Sequence, residues 1–158
     1  MTKSPSFSRS SAALRKYELI NLGTLGGDES SARRINSKCQ VVGSADTASG
    51  ERHATLFDII GGGNNIDLGT LGGNESNAYR INSKGQVVGR VRNSSAQWRA
   101  TLFDTTGNSN NLDLGGSLRE SEAFSIDSGG QNVGWDRPDP SSLWVASLFD
   151  IMGNGNNT

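Results

Sequence analysis

With a single cysteine, Cys39, the chain can form no internal disulfide and build no metal site of several thiolates. It also lacks a charge of dominant sign. Its 15 basic and 16 acidic residues leave a net −1, which provides no global field for nucleic acid or a membrane surface. No run approaches the roughly 18 apolar residues that a membrane span requires. Hydrophobic residues make up only 33% of the 158, so buried segments must be short. No window beyond residue 16 sustains a 3.6-residue apolar period, which argues against helices. A phosphate-binding glycine loop, a nucleophile elbow and zinc-type spacing are all missing, so no cofactor and no metal are expected.

What the chain has instead is glycine, 21 residues of it, and repetition. Leu22-Gly23, Leu68-Gly69 and Leu114-Gly115 head three copies of one pattern. The copies end at Leu56-Phe57-Asp58, Leu102-Phe103-Asp104 and Leu148-Phe149-Asp150, each 46 residues after the last. A period of this size marks supersecondary units that bury their apolar faces only against one another. The second copy, Ile66 to Asn111, divides at its turn signals into four apolar pieces: Ile66 to Leu68, Ala78 to Ile81, Gln86 to Gly89 and Trp98 to Asp104. Gly72-Gly73-Asn74 reads as a turn, and Asn82-Ser83-Lys84-Gly85 as a hairpin closed by a left-handed glycine. The first copy has Cys39 in place of that glycine, which predicts either a relaxed turn or a strained one. The fold class expected is all-β, with repeats 17–65, 66–111 and 112–158 in one domain of about twelve strands. Leu22, Ile35, Val41, Leu56, Phe57 and their equivalents are its expected core. Residues 1–16, serine-rich with four basic residues and no acid, read as a disordered arm without the apolar stretch of a secretory signal.

The string Leu-Gly-Thr-Leu-Gly-Gly-x-x-Ser-x-Ala-x-x-Ile-Asn-x-x-x-Gln-Val-Val-Gly, followed by His-Ala-x-Leu-Phe, runs from Leu22 to Gly43 with His53 to Phe57, and from Leu68 to Gly89 with Arg99 to Phe103. It resembles the repeat of the HAF family of extracellular repeat proteins. The resemblance implies β-propeller blades of four strands and an extracellular setting; it brings no catalytic residue. Three blades are too few to close a propeller. Either the chain is half a ring and dimerises into six blades, or three units form a threefold β-trefoil or β-prism. Residues 1–65 carry eight basic and six acidic groups, 66–111 five and three, and 112–158 two and seven. Opposite signs at the two ends favour head-to-tail pairing of copies, hence a homo-oligomer.

Three sets of residues are candidates for a site. Glu29, Glu75 and Glu120 recur in Glu-Ser pairs, a ring of acids suited to cations or sugar hydroxyls, unless each serine merely bonds backbone. Trp98 and Trp144 occupy equivalent places, and Trp135 follows the Val-Gly strand of the third copy; such faces stack on sugar rings or pack units together. Asp58, Asp104 and Asp150 begin Asn- and Gly-rich loops with one acid each, too few for calcium. His53 and Cys39 would need spatial adjacency to act as a nucleophilic pair. A non-enzymatic binding or interaction module follows, with a glycan as candidate ligand. A purely structural assembly protein is the alternative reading, and a hydrolase the third.

Overall fold

The computed structural model describes residues 17–116 and 120–149; the basic arm, Asp150 and the loop it begins lie outside them. The fold is all-β, with no helix among the described residues. The first unit comprises β1 (Gly26–Ile35), β2 (Val41–Thr47), β3 (Arg52–Phe57) and β4 (Ile66–Asp67). The second comprises β5 (Gly72–Ile81), β6 (Val87–Asn93), β7 (Trp98–Phe103) and β8 (Leu112–Asp113). The third has β9 (Glu120–Ile126), β10 (Asn132–Arg137) and β11 (Val145–Phe149). Within each unit the strands form an antiparallel meander in sequence order. Their registers repeat: Gly43 opposes Thr55 as Gly89 opposes Thr101 and Gly134 opposes Ser147. One parallel bridge, Arg52 to Glu75, joins the first two units into a mixed sheet, and no sheet closes on itself among the described residues. A trefoil barrel would require such closure.

Two readings from sequence are corrected. Gly72-Gly73-Asn74 is no turn but the start of β5, because bulges before Ser76 and after Ala78 let a ten-residue strand bend where the glycines relax it. The fourth strand also belongs elsewhere. Ile66-Asp67, which opens the second sequence copy, pairs with Leu56 and Thr55 of β3, and Leu112-Asp113 pairs likewise on β7. The sequence copy and the folded unit are therefore out of phase by one strand.

Units stack face on face, with the first strand of each laid over the preceding unit and beside its first strand. Val42, Ala54 and Leu56 of the first unit meet Ala78 and Ile81 of the second in one apolar cluster. Val88, Ala100 and Leu102 meet Ala123 and Ile126 of the third in the next. Polar bonds follow the same plan. The Asn36 Nδ2 donates to the carbonyl of Asn82 at 3.0 Å, and the Asn82 Nδ2 to that of Asp127 at 2.9 Å, a ladder along equivalent hairpin turns.

The faces at either end have no neighbour. Ile81 and Ile126 are 5% and 6% exposed, but Ile35, expected in the core, is 60% exposed because no unit covers β1. Leu22 is only half-buried for the same reason, whereas Leu68 and Leu114 are fully buried. In the third unit Val133 and Leu148, equivalent to Val88 and Leu102, are also exposed. Cys39 keeps a φ of 60° where Gly85 and Gly130 have 95° and 99°, so the turn does not relax and the first copy carries the strain.

Candidate functional site

Two of the three Glu-Ser pairs are joints between units. The Ser76 Oγ accepts the Ala54 N–H of the first unit at 2.8 Å and donates to the Gly69 carbonyl at 2.6 Å. The Ser121 Oγ accepts the Ala100 N–H at 2.9 Å, while Ser30 is exposed on the uncovered β1. The glutamates beside them meet arginines: Glu75 with Arg92 and Glu29 with Arg52 at 3.5 Å, Glu120 with Arg137 at 3.7 Å. Arginine neutralises each acid, so the three do not present a bare anionic ring. Among the described residues no three His, Cys, Asp or Glu side chains gather to hold a metal ion.

The tryptophans occupy one recurring juxtaposition in three chemical versions. In the first unit it is Arg52 bonding Ser44, in the second Arg90 over Trp98 with ring and guanidinium 3.8 Å apart, in the third Trp135 against Trp144 with centroids 3.8 Å apart. Arg92 also lies over Trp98, at 4.3 Å. Cation–π contact therefore engages the Trp98 ring already. Trp144 stays half-exposed on the third unit.

Asn65 and Asn111 explain the Asn-rich loops. The Asn65 Oδ1 accepts the Asp58 N–H, while its Nδ2 donates to Leu22; Asn111 does the same between Asp104 and Leu68. These amides tie each loop to the leucine that heads its copy.

Cys39 is exposed in its turn, and the His53 ring is engaged elsewhere, its Nδ1 2.8 Å from the Asp67 carboxylate and its Nε2 3.8 Å from Glu51. In the second unit Arg99 and Asp113 form the equivalent pair, at 2.9 Å. The hydrogen bond to Asp67 raises the His53 pKa above 6.5, against the effect of burial. Burial pushes Asp67 up, but the bonds from His53 and the Gly69 N–H outweigh it, and its carboxyl is held low. The pair therefore stabilises the fold most while His53 is protonated and Asp67 ionised. Its contribution is lost as pH rises through the raised His53 pKa, and again in acid as Asp67 protonates. Thermal melts should show stability falling from pH 6 to pH 9, and His53→Arg should flatten that slope; an unchanged slope in the variant would rule the pair out as its source.

Sequence reasoning missed one cluster altogether. Arg33, Tyr79 and Phe124, at equivalent places on the three first strands, line a groove of about 420 Å³. The Arg33 guanidinium lies 5.3 Å from the Tyr79 ring centre, and that ring is 5.9 Å from Phe124. Arg33 and Phe124 are exposed. Behind them the buried Glu122 accepts from Arg90 at 2.5 Å and from the Tyr79 hydroxyl at 3.4 Å. Burial first, then the Glu122 carboxylate, pushes the Tyr79 phenol up to about 12. The phenol thus stays a neutral donor, with its ring fixed at the groove. The only sequence signal was position: these residues fall in the variable slots between the Ala and Ile of the motif, 46 and 45 residues apart.

No family model matches the chain, and no curated protein or solved structure matches it.

Proposed function

We propose that this chain is a non-enzymatic binding module of stacked, propeller-type β-units, and that its ligand face is the groove of Arg33, Tyr79 and Phe124. The repeated antiparallel meanders, in equivalent register, support the reading of propeller-type units. The observation that carries the reading is a column of one cation and two aromatic rings on three neighbouring strands, with Arg33 and Phe124 exposed and Tyr79 half-buried between them. The exposed Phe124 ring gives an apolar face for the C–H side of a pyranose, and the Arg33 guanidinium pairs with a carboxylate. Its size falls within the range of small-ligand sites, about 300–1,000 Å³. The ligand class that satisfies both features is an acidic glycan, a sugar chain carrying uronic-acid carboxylates.

Titration with hexuronate oligosaccharides, alongside neutral glucans of equal length, tests the reading. The intact protein should prefer the acidic series. Phe124→Ala should weaken binding at least ten-fold, and Arg33→Gln should erase the preference for acid over neutral sugar. Both positions are exposed, so neither change disturbs the core. Absence of binding to either series, or binding untouched by both substitutions, would overturn the proposal.

A further inference from the structure

Among the described residues the third unit has three strands where the other two have four. β3 carries β4 on its outer edge and β7 carries β8, but among the described residues β11 carries nothing there. Ahead of β1 lies a segment equivalent to those edge strands that pairs with none of the described strands. Ile20-Asn21-Leu22-Gly23 corresponds to Ile66-Asp67-Leu68-Gly69 and Leu112-Asp113-Leu114-Gly115. It already has their local shape. The Asn21 Oδ1 accepts the Gly23 N–H at 2.9 Å, as Asp67 and Asp113 accept from Gly69 and Gly115 at 2.7 and 2.9 Å. Yet it pairs with no strand, and Leu19 and Ile20 are 97% and 50% exposed.

The two uncovered faces match in the same way. An apolar groove of about 350 Å³ opens on the first unit between Leu19, Ile20, Leu22, Ala32 and Phe57. In the second and third units the equivalents of Ala32 and Ile35 are buried by a valine, an alanine and a leucine of the unit before. Val133, Ala146 and Leu148 are that trio on the third unit, all exposed.

We infer that a second copy of this chain covers these faces, and that each copy donates Ile20-Asn21 as a fourth strand on β11 of the other. The interface continues one the molecule already makes twice internally, so its register is specified. By equivalence with the Leu56–Ile66 and Leu102–Leu112 pairs, Ile20 lies opposite Leu148 of the other copy. The N–H of Leu68 donates to Ala54 and that of Leu114 to Ala100, which assigns the Leu22 N–H to the carbonyl of Ala146. Ser30 then accepts the Ala146 N–H as Ser76 and Ser121 accept theirs. Ile35 buries against Val133. One bond of the internal joints is missing: Asp127 has no amide with which to extend the asparagine ladder. A head-to-tail joint made twice closes a ring of six units, whereas one that failed to close would give filaments. The inference rests on the stacked units of the proposed function, and not on its ligand.

The test places cysteines at Ile20 and Leu148 in a Cys39→Gly background, which supplies the glycine that the other two copies have. Under mild oxidation a disulfide should link chains, and light scattering should give twice the 16.7 kDa chain mass before and after oxidation. A disulfide within one chain would overturn the inference, because the ring would then close in a monomer. So would a monomer with no disulfide, or a dimer in which these cysteines stay reduced. The full-length Ile35→Glu single variant provides an independent arm. Ile35 is exposed in the isolated chain, so the substitution should leave the far-ultraviolet circular dichroism unchanged while weakening dimerisation at least ten-fold. Dimerisation unaffected by Ile35→Glu would equally overturn the inference. Acidic-glycan binding in a persistent monomer would sink only the strand exchange; a dimer without glycan binding would sink only the ligand.

Discussion

Gly89→Ala is expected to be among the most damaging single-methyl substitutions in this protein, costing about 3 kcal/mol, the top of the usual range for overpacking a core. A Cβ at Gly89 would sit 1.9 Å from the carbonyl oxygen of Asn77. Backbone on β5 cannot swing aside as a side-chain tip can. That stretch of β5 is pressed between units, with Ser76, Asn77 and Ala78 all buried. The strain is purely one of space, since Gly89 is not among the residues of positive φ. Gly43 meets the same obstacle, 1.9 Å from the Ser31 carbonyl, but on β1, whose other side is open. There the strand can retreat. In the monomer, chemical denaturation should therefore rank Gly89→Ala well below Gly43→Ala in midpoint, and equal losses there would show that the open face gives no relief.

Asn82→Ala is expected to cost about 2–4 kcal/mol, from several buried hydrogen bonds at about 1 kcal/mol each together with the stranding of their partners. Its Oδ1 accepts the N–H groups of Lys84 and Gln86, while its Nδ2 donates to the Gln86 side chain and to the Asp127 carbonyl. One side chain thus shapes a turn and fastens the next unit to it. Asn82→Asp separates these roles. The carboxylate retains both acceptor bonds, as Asp127 does natively with Gly130 and Gln131, but loses the donor and faces the Asp127 carbonyl. Its loss should come mainly from the joint. Hydrogen exchange should then show the third unit opening before the second in Asn82→Asp; uniform loosening would contradict this division of labour.

Both residues stood in plain view in the repeated motif, and their meaning was only half legible there. A glycine after Val-Val reads as a strand terminator until the bulge opposite it brings a carbonyl into its space. The asparagine reads correctly as a turn former, but the amide's reach into the next unit depends on stacking, which no local pattern encodes. All-β class and the hairpins were visible because turn chemistry and apolar alternation are local properties. Exposure of Ile35 was not, since Ile35, Ile81 and Ile126 stand in equivalent sequence and differ only in having a neighbour. The groove was hidden for the opposite reason: Arg33, Tyr79 and Phe124 differ from one another, so a search for recurrence passes over them.

The one-strand offset between sequence copy and folded unit has a consequence for how such a gene can grow. A duplicated segment of 46 residues that starts at the leucine-headed motif carries the edge strand of the unit before it and lacks its own. It is incomplete alone, yet it fits wherever its siblings end, because every junction offers the same vacant edge. Inserting or deleting a whole period therefore changes the length of the array without leaving a mismatched seam, and every breakpoint is stitched by hydrogen bonds across it. Circular permutation that starts the chain at Gly26 would place Ile20-Asn21 after β11 in the same chain, and so turn the exchanged strand into an internal one.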